Sequence, residues 1–180
     1  MDDAAVARPP GATRSLVLTV DVITPIVDDP WQFGGIAAAN SLSDVYAMGG
    51  KPELALSFVG LPTDQLPPSV LPAVLAGIDD ACRRAGCAIV GGHTIADTEP
   101  KCGLSVVGSV DPEQLWTQSA GRSGQVLIVT KALGTGLVGH AIKRGTASPA
   151  VAEAAIAQML ELNDVACRVG HEVGATTCTD

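Results

Sequence analysis

The chain has 180 residues, 47% of them apolar and 17% charged, with a formal net charge of −8. That is enough aliphatic material for one sizeable domain, or for one domain and part of another. The acidic balance and scattered Lys and Arg exclude nucleic acid and an anionic membrane surface as partners, since both need clustered basic charge, but admit a small anionic ligand bridged to carboxylates by divalent cations.

The first residues, "MDDAAVARPPGATR", lack the basic start and apolar stretch of a signal peptide. No uninterrupted apolar run is long enough to span a bilayer. "SLVLTVDVITPI" is apolar and β-branched and reads as a buried strand. From Trp31 to Met48 apolar residues recur at helical spacing, and Gly49, Gly50 and Pro52 supply a stop. "ELALSFVGL" is a second strand. A helix follows, capped by Ser69, with an apolar stripe from Val70 to Ala85, Arg83 and Arg84 in its last turn and Gly86 beyond it. "CAIVGG" and "GLSVVGSV" are strands, so the order is β-α-β-α-β-β, an α/β layering of helices on a sheet. After a loop around residues 119–124, "QVLIVT" reads as a strand, "KALGTGLVGHAIKRG" as a loop and short helix, and residues 149–170 as one long helix capped by Ser148.

The five cysteines are odd in number and contain no C-x-x-C pair, which argues against a disulfide framework or zinc site and for reduced thiols in a cytoplasmic protein. His93, His140 and His171 form no ligand-spaced pair. Cys102 and Cys178 read as inert thiols.

Asp44 carries the clearest chemical signal. It is the only charged side chain between Trp31 and Gly50, it sits in the C-terminal half of its helix where the macrodipole disfavours an anion, and its helical neighbours offer no cation. A desolvated carboxylate there needs a partner, which favours a metal or ligand role over a plain surface position. Asp21 interrupts an apolar strand and is as readily a site residue as an edge residue. Asp2 and Asp3 alone read as a solvated acidic end, and Asp28 and Asp29 as turn formers. In "GGHTIADTEP", residues 91–100, paired glycines permit positive φ and close approach of N–H groups to an anion, with His93 and Thr94 as further donors; a tight turn between strands is the plainer reading. Lys131 in "TKALGTG" is equally open between phosphate contact and loop, and the segment is not a Walker A sequence.

Taken together, "DDAAV", the stretch from Asp21 to Leu56, "GGHTIADTEPKCGLSVVGSV", "TKALGTG" and the closing "TD" resemble the selenophosphate synthetases, also called selenide, water dikinases. The short elements are also similar to thiamine-monophosphate kinases and aminoimidazole-ribonucleotide synthetases. The resemblance implies synthesis of selenophosphate from ATP, selenide and water with release of AMP and phosphate, and a requirement for Mg²⁺. It implies that Asp3, Asp44 and Asp180 are metal ligands and that Asp2, Asp21, Asp44, Gly92, His93 and Thr94 bind ATP. It also implies an α/β aminoimidazole-ribonucleotide synthetase-like domain over 1–111 that dimerises through its sheet, followed over 112–180 by the start of a second α/β domain. A reactive Cys or selenocysteine and a Lys would lie before Met1, and a "VTGFG"-like loop after Asp180, so this polypeptide alone is expected to be inactive and to dimerise or aggregate. Ala132 and Cys102 depart from the family pattern. The alternatives are another kinase of the superfamily, such as a thiamine-monophosphate kinase, or a non-catalytic nucleotide-binding or dimerisation module.

Overall fold

The structure is a computed structural model and describes residues 2–180. Its elements are β1 (Ala5–Ala7), β2 (Ser15–Ile23), α1 (Pro30–Ala47), β3 (Lys51–Leu61), α2 (Val70–Ala85), β4 (Ala88–Ala96), β5 (Lys101–Val110), α3 (Thr135–Lys143), α4 (Pro149–Leu160) and α5 (Asp164–Glu172). The five strands form one mixed sheet in the order β1-β2-β5-β3-β4, with β3 and β4 parallel and the other pairs antiparallel. The β3–α2–β4 crossover is the parallel unit, as a parallel pair needs a connection long enough to return the chain.

Helices α1 and α2 pack against each other, and α1 covers β2 and β5. Leu42 and Val45 of α1, Met48 at its C-terminal cap, Val74, Ile78 and Cys82 of α2, and Val17, Val59, Leu104, Val106 and Val110 of the sheet are fully buried between these layers. Small residues let the helices close together. A Cβ on Gly34 would run into the Val74 carbonyl, and a Cβ on Gly77 into the Trp31 carbonyl. Helix α1 starts where its sequence can satisfy it: Asp29 accepts from Gln32 N–H at 2.7 Å and Pro30 occupies the first turn.

The face of the sheet away from the helices is open. Val20, Val22, Leu56 and Phe58 line a depression on it together with His93 and Ser105, and Val20, Val22 and Leu56 are exposed.

Past Val110 the chain folds back on α1. Trp116 donates its backbone N–H to the Met48 carbonyl at 3.2 Å, and its ring stacks on His171 of α5 with centroids 4.2 Å apart. His171 Nε2 lies 2.9 Å from the Gly49 carbonyl, so α5 is fastened to the turn that ends α1. Helix α4 packs on α1 and α3 on α4.

Three expectations are corrected. "QVLIVT" is not a strand: residues 125–130 pair with none of the five strands, and Val126 and Leu127 are 84% and 91% exposed. β-branched sequence supplies propensity, but a strand exists only with a ladder partner. The long helix over 149–170 is two helices, α4 and α5, parted at Glu161–Asn163, where Glu161 adopts an extended backbone and Leu162 is buried. Gly91–Thr94 is strand, not turn; neither glycine has positive φ. Ser69 and Ser148 stand at the cap positions expected of them, but neither side chain makes a capping bond.

Candidate functional site

The acidic residues singled out from sequence converge on the end of the sheet where β2 meets α1. Alternation along β2 turns Thr19 and Asp21 toward the helix layer, while Val20 and Val22 turn to the open face. Asp44 reaches across from α1 and is 8% exposed. Its carboxylate accepts a hydrogen bond from the Thr19 hydroxyl. Burial raises the Asp44 carboxyl to about 6, the Thr19 bond opposes that rise, and the negative charges of Asp180, Asp21 and Asp3 add to it. These four carboxylates are therefore electrostatic neighbours.

The two ends of the chain meet over a single 3-10 turn, Gln118–Ala120. Gln118 donates its backbone N–H to Asp2 at 2.8 Å and its side-chain amide to both oxygens of Asp3 at 3.3 Å. Thr179 donates to Asp3 at 2.8 Å and lies 3.2 Å from the Gln118 amide. Asp180 is thereby carried to the same end of the molecule as Asp3. Asp21 accepts from the Asn40 amide at 2.8 Å. Asp2, Asp3, Thr19 and Val20 line one open recess with Ser105.

None of the ion pairs among the described residues involves Asp3, Asp21, Asp44 or Asp180. Hard oxygen donors without a cationic partner suit a divalent ion such as Mg²⁺. Among the described residues, no three His, Cys, Asp or Glu side chains stand close enough together to enclose a metal ion. The donor type and charge fit, whereas ligand distance would require the carboxylates to draw together.

Gly92–Thr94 lie at the opposite side of the sheet. The register aligns Asp21, Leu104, Ser57 and Gly92 in one row across β2, β5, β3 and β4. Three strand spacings separate Asp21 from Gly92, about 14 Å. A single chain holds its acidic group and its Gly92–Thr94 group at separate ends of that row. The glycine itself is explained by close packing: a Cβ on Gly92 would collide with the Ser57 backbone. His93 is on the open face.

Other candidates resolve into structural roles. Asp97 takes Thr98 N–H at 2.7 Å and Lys101 Nζ at 2.8 Å in the β4–β5 turn, and that bond to Lys101 holds its carboxyl below the usual range. Glu99 shares Lys101 at 3.8 Å. Lys131 donates to the Glu161 carbonyl at 2.5 Å, and Gln158 pairs with both the N–H and the C=O of Ala132. Burial pushes the Cys102 thiol up to about 12, and Cys178 is raised by burial and then by Asp3 and Asp180. Cys87 is lowered by a hydrogen bond from Cys82, but both are buried at the C-terminal cap of α2. Thr19, Asn40, Gln118 and Thr179 had no signal in the sequence, since each is a common polar residue whose partner is distant along the chain.

A mixed α/β sheet backed by two glycine-packed helices, with carboxylates gathered at the end of β2, defines the fold class. Residues 1–110 match the family described as AIR synthase related protein, N-terminal domain, and the chain belongs to that family. Over 179 residues it is 50% identical to the selenide, water dikinase of Geobacter metallireducens, covering 99% of this chain and 52% of that protein. It is 50% identical over 169 residues to the selenide, water dikinase of Myxococcus xanthus, covering 93% and 47%. Among solved structures, AaThiL complexed with AMPPCP and TMP superposes with a TM-score of 0.78 at 24% identity, over 94% of this chain and 56% of that one, a likeness of fold. The chain spans about half the length of the curated relatives it matches.

Proposed function

We propose that this chain is the nucleotide- and metal-binding part of an enzyme that makes selenophosphate from ATP, selenide and water, releasing AMP and phosphate. The observation that carries the reading is Asp44, held buried beside Asp180, Asp21 and Asp3 with no basic partner among the described residues. Its support is the identity of about 50% to selenide, water dikinases along nearly the whole chain. In this reading Asp3, Asp44 and Asp180 hold Mg²⁺, and Asp2, Asp21, Asp44, Gly92, His93 and Thr94 contact the nucleotide. Bound Mg²⁺ supplies the positive charge that lets an acidic protein accept a triphosphate and that neutralises charge on the transferred phosphoryl group. Thr19 keeps one oxygen of Asp44 occupied and leaves the other for the ion. Residues 112–180 then begin a second domain, and the protein is cytoplasmic; among the described residues no helix is long and apolar enough to cross a membrane.

Homodimerisation through the open sheet face completes the proposal. With the two-fold axis parallel to the strands, the open faces pair with the β2-to-β4 order reversed, so that β4 of one protomer, which carries Gly92–Thr94, lies over β2 of its partner. An apolar face with Val20, Val22 and Leu56 uncovered is suited to such a contact.

The test is titration calorimetry with ATP and Mg²⁺ beside an assay for AMP release in the presence of selenide. Asp44→Asn should abolish Mg-ATP binding; unchanged nucleotide affinity would sink the assignment. In a chain of the relatives' full length, binding without AMP release favours a nucleotide-binding or dimerisation module, and phosphorylation of thiamine monophosphate with indifference to selenide favours the related kinase.

A further inference from the structure

We propose that Asn40 is a positioning residue whose amide fixes the Asp21 carboxylate in the orientation that meets the nucleotide. The inference rests on the proposed role of Asp21 and adds a residue to which neither the sequence nor the relatives' names assign any part. Asp21 is gripped at three points. Asn40 Nδ2 donates to its Oδ2 at 2.8 Å. Ser41, the next residue of α1, lies with its hydroxyl 3.2 Å from the Asp21 carbonyl and 2.9 Å from the Ala37 carbonyl, and accepts the Leu104 N–H at 3.1 Å. Asp21 and Leu104 are register partners, so this fully buried hydroxyl is spliced into the β2–β5 ladder at that pair. The third point is Gly103, where any Cβ would collide with the Asp21 carbonyl.

Ser41 and Gly103 fix the backbone of Asp21; Asn40 alone among them touches its carboxylate. Among the described residues, Asp21 has no other side-chain hydrogen bond to its carboxylate and no ion pair. Asn40 also stands out on its helix: it is exposed where its neighbours from Phe33 to Ala47 are buried, and it lies one turn before Asp44. A neutral amide is suited to this task because it orients a carboxylate without competing for the cation that the carboxylate faces.

The experiment compares the parent chain, Asn40→Ala, Asn40→Asp and the swapped pair Asp21→Asn with Asn40→Asp, by thermal melting and by calorimetry with ATP and Mg²⁺. Asn40→Ala and Asn40→Asp should each weaken Mg-ATP binding about tenfold, the loss expected when a charge-assisted hydrogen bond of this kind is removed. The swapped pair should recover the melting temperature of the parent but not its affinity, because the β2–α1 hydrogen bond is restored while the charge has moved to the helix. Recovery of both shows Asn40 to be a structural tie and overturns the proposal. Affinity within twofold of the parent for Asn40→Ala and Asn40→Asp overturns it as well. A parent chain that binds no Mg-nucleotide overturns the nucleotide-site reading itself, and the positioning role with it.

Discussion

Burial and the carboxylates of Asp180, Asp21 and Asp3 raise Asp44 from 3.8 to about 6, and the sign of that rise fixes a pH dependence. A carboxyl more basic in the folded than in the unfolded chain stabilises the fold below about pH 4, and the contribution is lost as pH rises through about 6. At neutral pH, without a cation, the charged form costs on the order of 3 kcal/mol. Asp44→Asn should therefore raise the melting temperature at pH 8 in chelator, and the gain should shrink below pH 6 and vanish near pH 4. Calorimetric melts across that range decide the matter, and a variant no more stable at pH 8 contradicts a buried charge at this position. Asp44 was legible in the sequence because a lone charge in an apolar helix is conspicuous. Thr19 and Asn40 were not, because a threonine in a strand and an asparagine on a helix are ordinary until folding brings their partners within reach.

Elements were legible where local periodicity decides them and obscure where a distant partner does. Helices α1 and α2 follow from their apolar spacing and their stops. The strand reading of residues 125–130 fails because nothing in a β-branched run says whether a ladder partner exists, and a turn stays open at Gly91–Gly92 because glycine looks the same whether it supplies positive φ or room for a neighbouring strand. The α1–α2 crossing is glycine of the second kind. A Cβ on Gly77 would meet the Trp31 carbonyl and the Gly35 nitrogen, backbone atoms that cannot swing aside. Gly77→Ala should destabilise the chain by about 3 kcal/mol, through overpacking at a backbone contact, and lower its melting temperature by about 8 °C. Gly136→Ala, in open space on α3, should leave it within a degree or two. Equal melting temperatures for the two variants would mean that the helices have room to spare.

For the whole molecule, the proposed dimer ties solution behaviour to the open face of the sheet. Val20, Val22 and Leu56 are presented together by strand alternation, and one charge among them is repeated across a two-fold contact. Val20→Glu should halve the mass measured by light scattering at micromolar concentration while leaving the fold intact by circular dichroism. A parent chain that is monomeric at that concentration removes the dimer from the proposal. The gathering of Asp2, Asp3 and Thr179 around Gln118 is also a whole-molecule property: the chain ends are far apart in sequence, and the return of the chain over α1 brings them together.

The stack of Trp116 on His171 has an optical consequence. The chain has two tryptophans. Trp31 is 39% exposed and Trp116 only 5%, so most of the emission change on opening will come from the second. Because the ring of Trp116 is covered by α5 and its backbone is tied to the end of α1, a red shift in its fluorescence reports the departure of α5 from the turn that ends α1. The molecule thus carries its own dye at this contact, and a red shift that precedes the loss of circular dichroism separates partial undocking from global melting without any label.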